Sequence, residues 1–212
     1  RFAPFAALSD VNEPRIIDGH AWTIPETRAA LAAYNDASFT AAAFDVEDGG
    51  LQLPLVIAKA CTAVFSSANV AFHSYAALTA GAADLLVNFG SDDQRRRFVR
   101  PMLEGRFTGT MCLSEPHAGS SLADIRCQAR RQDDGSYRLT GTKMWISGGD
   151  HELAETIVHL VRNHLICYSS EWTDAAVRRF VRRVGPEHVE QEREVPIVGA
   201  DRGDDHGQAP GL

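Results

Sequence analysis

Near Gly105 the hydrophobic period of this chain changes from that of helices to that of strands, and this switch limits the possible folds more than any other feature. Before it, apolar residues recur at helical spacing. After it, Ile125, Cys127 and Ala129 alternate with Arg126, Gln128 and Arg130, and Tyr137 and Leu139 alternate with Ser136, Arg138 and Thr140. Two-residue alternation marks half-buried strands, and Asp133-Asp134-Gly135 between the runs predicts a hairpin turn. Residues 156–161 (TIVHLV) predict another strand. A helical layer followed by an antiparallel sheet is an α+β arrangement with segregated elements. The expected division is a helical domain over 1–104, a partial antiparallel β-domain over 105–161, a basic helical tail over 162–190 and a disordered end over 191–212.

Local signals refine the helical layer. Residues 1–25 read as irregular, with Pro4, Pro14 and Pro25 as breakers. Pro25 also suits a helix start, with Glu26 in the first turn and a break near Asn35 and Asp36. Residues 53–90 are apolar almost all round, as expected of buried helices. Gly81 and Gly90 punctuate them, and Gly90 reads as a C-cap. Ser91 with Gln94 predicts a capping box for the next helix, which Gly105 closes. In the tail, Arg178, Arg179, Arg182 and Arg183 line a short helix that Gly185 and Pro186 end.

At 212 residues, 44% apolar and 23% charged, the chain has room for one large domain or two small ones. A net charge of −7 argues against a polyanionic partner. No apolar run approaches the roughly 18 residues of a membrane span, and no signal peptide is visible. Cys61, Cys112, Cys127 and Cys167 match no zinc or dithiol spacing and read as small hydrophobes of a reducing cytoplasm.

The chemistry concentrates in two stretches. Residues 111–121 leave an apolar run and enter a loop carrying Glu115, Pro116, Gly119, Ser120 and Ser121. Residues 141–149 (GTKMWISGG) set Trp145, Ile146 and Ser147 on an expected strand between glycine turns. Glycine lets a ligand approach backbone amides, serines offer adjustable hydrogen bonds, and an indole offers a flat wall. That set suits a flat heteroaromatic ligand with polar edges. The rival reading is a hairpin with a core Trp and a Ser-rich turn.

The segment MCLSEPHAGSSLADI, followed by GSYRLTGTKMWISGG, resembles the paired signature of acyl-CoA dehydrogenases. The helix-to-strand passage LLVNFGSDDQRRRFVRPMLEGRFTGTM is similar to that family too, and GGDHELAETIVHLV resembles its large bacterial, methylmercaptopropionyl-CoA dehydrogenase-like branch. The resemblance covers residues 1 to 161 and implies an FAD enzyme that desaturates acyl-CoA thioesters, passes electrons to an electron-transfer flavoprotein and assembles as a homo-oligomer. It places Met111, Leu113 and Ser114 against the isoalloxazine, and Gly119 and Ser120 towards FAD phosphate, Ser120 also towards the acyl-CoA. Trp145 packs on the flavin, Ile146 joins the cofactor set, and the Ser147 hydroxyl approaches the reactive edge. Ser121 stands where the family usually has Asp, while Ser114 and Ser147 keep the hydroxyl of the commoner Thr.

The resemblance also implies what is lacking. The family's carboxylate base lies in a C-terminal helical bundle, so no catalytic residue is assigned and the chain is expected to be an inactive fragment. Glu115 belongs to the signature loop, and Glu152 and Glu155 are expected to be solvated. Residues 158–190 resemble a C-terminal helical stretch of bacterial tRNA nucleotidyltransferases and poly(A) polymerases, as in a hybrid chain. The competing readings are a non-catalytic remnant and an RNA-binding segment acting through the tail arginines. His151, Glu152, Glu155 and His159 lack the spacing of a metal site, and His73 reads as a satisfied core side chain.

Overall fold

The computed structural model describes residues 1–18, 20–131, 137–161 and 164–168. The expected turn at 133–135, the basic helix and the last 22 residues (191–212) lie outside them. The amino-terminal stretch is more ordered in pattern than its prolines predict. It forms helix α1 (Ala6–Val11) and a hairpin of β1 (Arg15–Ile17) and β2 (His20–Trp22). Elements this short depend on tertiary partners. Here the Ala21 N–H donates to Asp150 (3.0 Å), and the Thr23 hydroxyl to Glu152 (2.8 Å).

Helix α2 (Pro25–Asp36) starts on Pro25, and the break expected at Asn35 and Asp36 is real, because Ser38 turns left-handed at φ 58°. Asn69 separates α3 (Leu55–Ala68) from α4 (Val70–Phe89) and caps the latter by accepting the Phe72 N–H. Gly81 does not interrupt α4, and Gly90 caps it in an extended conformation rather than a left-handed one. The capping box of Ser91 and Gln94 forms at the start of α5 (Asp92–Gln94). A single π-turn over Arg95–Val99 then leads into α6 (Arg100–Leu103). The wider turn lets adjacent Phe98 and Val99 both face the core. Gly105 ends the layer at φ 76°, where a Cβ would run into the Asn35 side chain.

The packing of these helices differs from expectation. Helix α4 alone among the described helices is long and apolar enough to cross a membrane by length and composition, although polar side chains interrupt its apolar run. Its Phe72, Ala76, Ala82, Ala83 and Leu86 are buried. Helix α3, expected to be buried, is not: Leu55, Val56 and Val64 are exposed, Val56 to 73%, and Ala58 is its one buried residue.

The strand layer is mixed. β3 (Phe107–Met111) pairs in parallel with β6 (Thr156–Val161), Phe107 opposite Thr156 and Met111 opposite Leu160. β6 then pairs antiparallel with β7 (His164–Tyr168), so the sheet continues beyond residue 161, where a helical tail was expected. β4 (Gln128–Arg131) and β5 (Tyr137–Thr140) form the expected antiparallel hairpin as a separate pair. A parallel neighbour needs a long crossover, and residues 112–155 supply it. The α+β class stands, with this parallel pair at its centre.

Helix α4 lies across β3 at close range. A Cβ on Gly109 would stand 2.5 Å from Ala82 Cβ and 2.7 Å from Met102 Cε. The Thr79 hydroxyl accepts the Gly109 N–H (3.0 Å) and donates to the Tyr75 carbonyl (2.6 Å). One core joins α4, the π-turn, α6 and Val158 of β6; a second joins Cys112, Ile125, Cys127, Leu139 and Val161. The strand alternation is visible in that second core, since Ile125, Cys127 and Ala129 are buried while Arg126 is exposed.

Candidate functional site

The candidate site begins where β3 ends. Met111 is half-buried opposite Leu160, and the next N–H, of buried Cys112, donates to the Leu160 carbonyl (2.8 Å). Leu113 then turns outward and Ser114 is half-buried. Glu115 and Ala118 exchange backbone hydrogen bonds across Pro116 and His117, which closes a tight loop. Gly119, Ser120 and Ser121 leave this loop exposed, with open space around Gly119.

Glu115, read as a loop residue, is the most enclosed acid of the region. Its side chain is 2% exposed, and its carboxylate accepts the N–H of Arg126 (2.8 Å), the N–H of Cys127 (2.9 Å) and the Lys143 ammonium (2.9 Å). Burial alone would raise its pKa, but the Lys143 hydrogen bond and the two amides outweigh it and hold the carboxyl below its ordinary range. Sequence reasoning missed this role for Glu115 and Lys143. The signal available was a lone Lys between a glycine and the Trp of a ligand-like stretch.

Residues 141–149 are not the strand that was expected. Trp145 at φ 61° and Gly148 at φ 65° break the extended run. The segment is held instead by single contacts. The Lys143 ammonium donates to the Leu113 carbonyl (2.9 Å), and the Met144 N–H donates to the Ser114 carbonyl (3.1 Å). Ile146 packs on the second core, while Ser147 is exposed. Trp145 is 83% exposed, which excludes the rival reading of a core Trp.

The structure therefore brings Leu113 and Ser114 beside the segment that carries Trp145 and Ile146. It does not join Gly119 or Ser120 to that segment by any hydrogen bond among the described residues. A cavity of about 310 Å³ lies elsewhere, between α2, α4 and β3, lined by Arg28, Tyr75, Thr79, Met102 and Thr108 among others. None of the expected site residues lines it.

The other titratable groups are structural. His73 is buried between the Tyr34 hydroxyl (3.3 Å) and the Ser66 hydroxyl (2.9 Å), as expected. His159 meets the Thr110 hydroxyl (2.6 Å), and burial pushes its pKa down to about 4. Burial pushes the Cys112 and Cys127 thiols up, so both stay protonated hydrophobes. Glu155 is exposed beside Arg106, but Glu152 is not the solvated residue expected, because it holds Thr23. Among the described residues no three His, Cys, Asp or Glu side chains gather as metal ligands.

Comparison with known proteins agrees with this architecture. Residues 9–106 match the acyl-CoA dehydrogenase N-terminal domain. Over 160 residues the chain is 39% identical to 3-methylmercaptopropionyl-CoA dehydrogenase of Ruegeria pomeroyi, covering 75% of this chain and 27% of that protein. Over 111 residues it is 35% identical to butyryl-CoA dehydrogenase of Syntrophomonas wolfei, covering 52% of this chain and 18% of that one. Among solved structures, glutaryl-CoA dehydrogenase from Mycobacterium smegmatis superposes with a TM-score of 0.64 at 22% identity, over 81% of this chain and 42% of that one, a likeness of fold. The matched part thus spans about a quarter or less of these curated relatives' own length. Residues 9–106 resemble the N-terminal domain of acyl-CoA dehydrogenases, and the likeness to 3-methylmercaptopropionyl-CoA dehydrogenase extends over 75% of the chain.

Proposed function

We propose that these residues form the flavin wall of an FAD-dependent acyl-CoA dehydrogenase, a protein that introduces an α,β double bond into an acyl-CoA thioester. The observation that carries the reading is Trp145, a large indole held 83% exposed at a left-handed φ, where a free side chain has no stabilising reason to be. The residues fit a flavin. Trp145 and Leu113 offer an apolar wall, Ser114 and Ser147 offer hydroxyls beside it, and the loop around exposed Gly119 and Ser120 is open for a phosphate or an acyl-CoA to approach. When bound, FAD supplies the acceptor for the β-hydrogen as hydride. The chain's own part is to hold and orient: the indole covers a ring face, the serines fix its polar edge, and the buried second core beneath keeps that wall in place. An electron-transfer flavoprotein as onward acceptor and assembly into a homo-oligomer belong to the same reading for the whole protein.

Titration of the purified chain with FAD, followed by flavin fluorescence, tests this. Saturable binding is expected, weakened by Trp145→Ala much more than by Trp172→Ala. Equal effects of the two substitutions, or no binding at all, would remove the support that Trp145 gives.

A further inference from the structure

We propose that the buried Glu115 and Lys143 side chains are a positioning pair that sets Trp145 against Leu113 and Ser114; this rests on the flavin reading above. Three chain segments meet at the Glu115 carboxylate. The loop after β3 supplies the acid itself, the entry to β4 supplies the amides of Arg126 and Cys127, and the Trp145 segment supplies Lys143. The Lys143 ammonium also donates to the Leu113 carbonyl, so one side chain grips both the first loop's backbone and its acid at 2.9 Å. Their side chains are 2% and 11% exposed.

A buried ion pair of this kind is weak as a source of stability, since desolvation cancels most of its attraction. What it does supply is direction. Trp145 follows Lys143 by two residues and sits at φ 61°, a conformation that persists only when its neighbours over-determine it. On its amino side the constraints are the Lys143 bonds and the Met144 N–H to the Ser114 carbonyl. On its carboxyl side Ile146 is packed in the second core, and its carbonyl accepts the Gly149 N–H (3.1 Å). Removing the first set frees one end of the indole's tether. The same geometry shows why Glu115 is not a proton-abstracting base: both oxygens already accept donors, and Oε1 accepts two.

The test uses the full chain with Trp22 and Trp172 replaced by Phe, which leaves Trp145 as its one indole. Glu115→Gln alone strands a buried ammonium and can fail to fold, so the double variant Glu115→Gln/Lys143→Met is compared with it; removing both charges keeps stability near that of the parent. In the folded double variant, the Trp145 fluorescence anisotropy is expected to fall, and the FAD dissociation constant to rise about tenfold, the scale of one charged hydrogen bond. Lys143→Arg, which keeps the charge and donors, is expected to restore part of both signals. Unchanged anisotropy in a folded double variant would overturn the proposal, whatever FAD does. Failure of the parent chain to bind FAD would overturn the flavin reading instead, and the anisotropy would still decide the positioning role.

Discussion

His151 is buried against the edge of Tyr75, and both of its ring nitrogens are in use. The Leu153 N–H donates to Nδ1 (3.1 Å), which leaves the ring proton on Nε2, 3.1 Å from the Thr108 hydroxyl. Burial pushes its pKa down to about 4 against the pull of Glu152 and Asp150. The sign of the consequence follows. Between the ordinary value of 6.5 and about 4, the unfolded chain binds a proton that the folded chain refuses, so stability falls as the pH drops through that interval. For His151 alone the loss is on the order of 3 kcal/mol, and His159 adds to it with the same sign. Urea midpoints at pH 7.5 and pH 4.5 are expected to differ accordingly, with the difference roughly halved in His151→Gln. Equal midpoints at the two pH values would mean that these rings are not held neutral. Glu115 acts in a separate window: its depressed pKa gives stability that is present above the ordinary 4.5 and lost as the pH falls below it. The sequence offers no sign of how His151 is buried, because neighbours remote in the chain, Tyr75 and Thr108, enclose it.

At the scale of elements, the contact between α4 and β3 sets how the helical layer meets the sheet. Gly109 permits it, because a methyl group there would overlap Ala82 and Met102. Gly109→Ala is expected to cost roughly 1–3 kcal/mol, the usual penalty for overpacking, read as a lower denaturant midpoint with an unchanged slope. A midpoint within error of the parent would show that α4 can move away from the strand freely. The helices were legible from Pro25, Asn35, Ser91 and Gly105, since caps and breakers act over one turn. Helix α3 was misjudged for a physical reason. Apolar composition says that a surface seeks burial, whereas its neighbours in the fold decide whether burial is available, and Leu55, Val56 and Val64 have none among the described residues. Likewise the Trp145 segment, bracketed by glycines, reads as a short strand, yet left-handed residues at 145 and 148 turn it into an irregular support.

For the molecule as a whole, the three glutamates weighed from the sequence each have partners. Glu115 is saturated, Glu152 holds Thr23, and Glu155 faces Arg106. The chain by itself is therefore expected to turn over no acyl-CoA, even with FAD added. Dye-coupled assays of purified protein check this, and measurable reduction would require a proton-abstracting carboxylate among its own residues.

The amino-acid sequence alone determined the change from helices to strands near Gly105, the helix boundaries at Pro25, Asn35, Ser91 and Gly105, and the two stretches in which the candidate site residues concentrate, because period, caps and turn residues act locally. Tertiary structure decided the rest. It paired β3 in parallel with β6 across residues 112–155, exposed Trp145 while burying Glu115 with Lys143, and left one face of α3 uncovered. Each of these depends on groups far apart in the chain, and their closeness is a property of packing that no local pattern encodes.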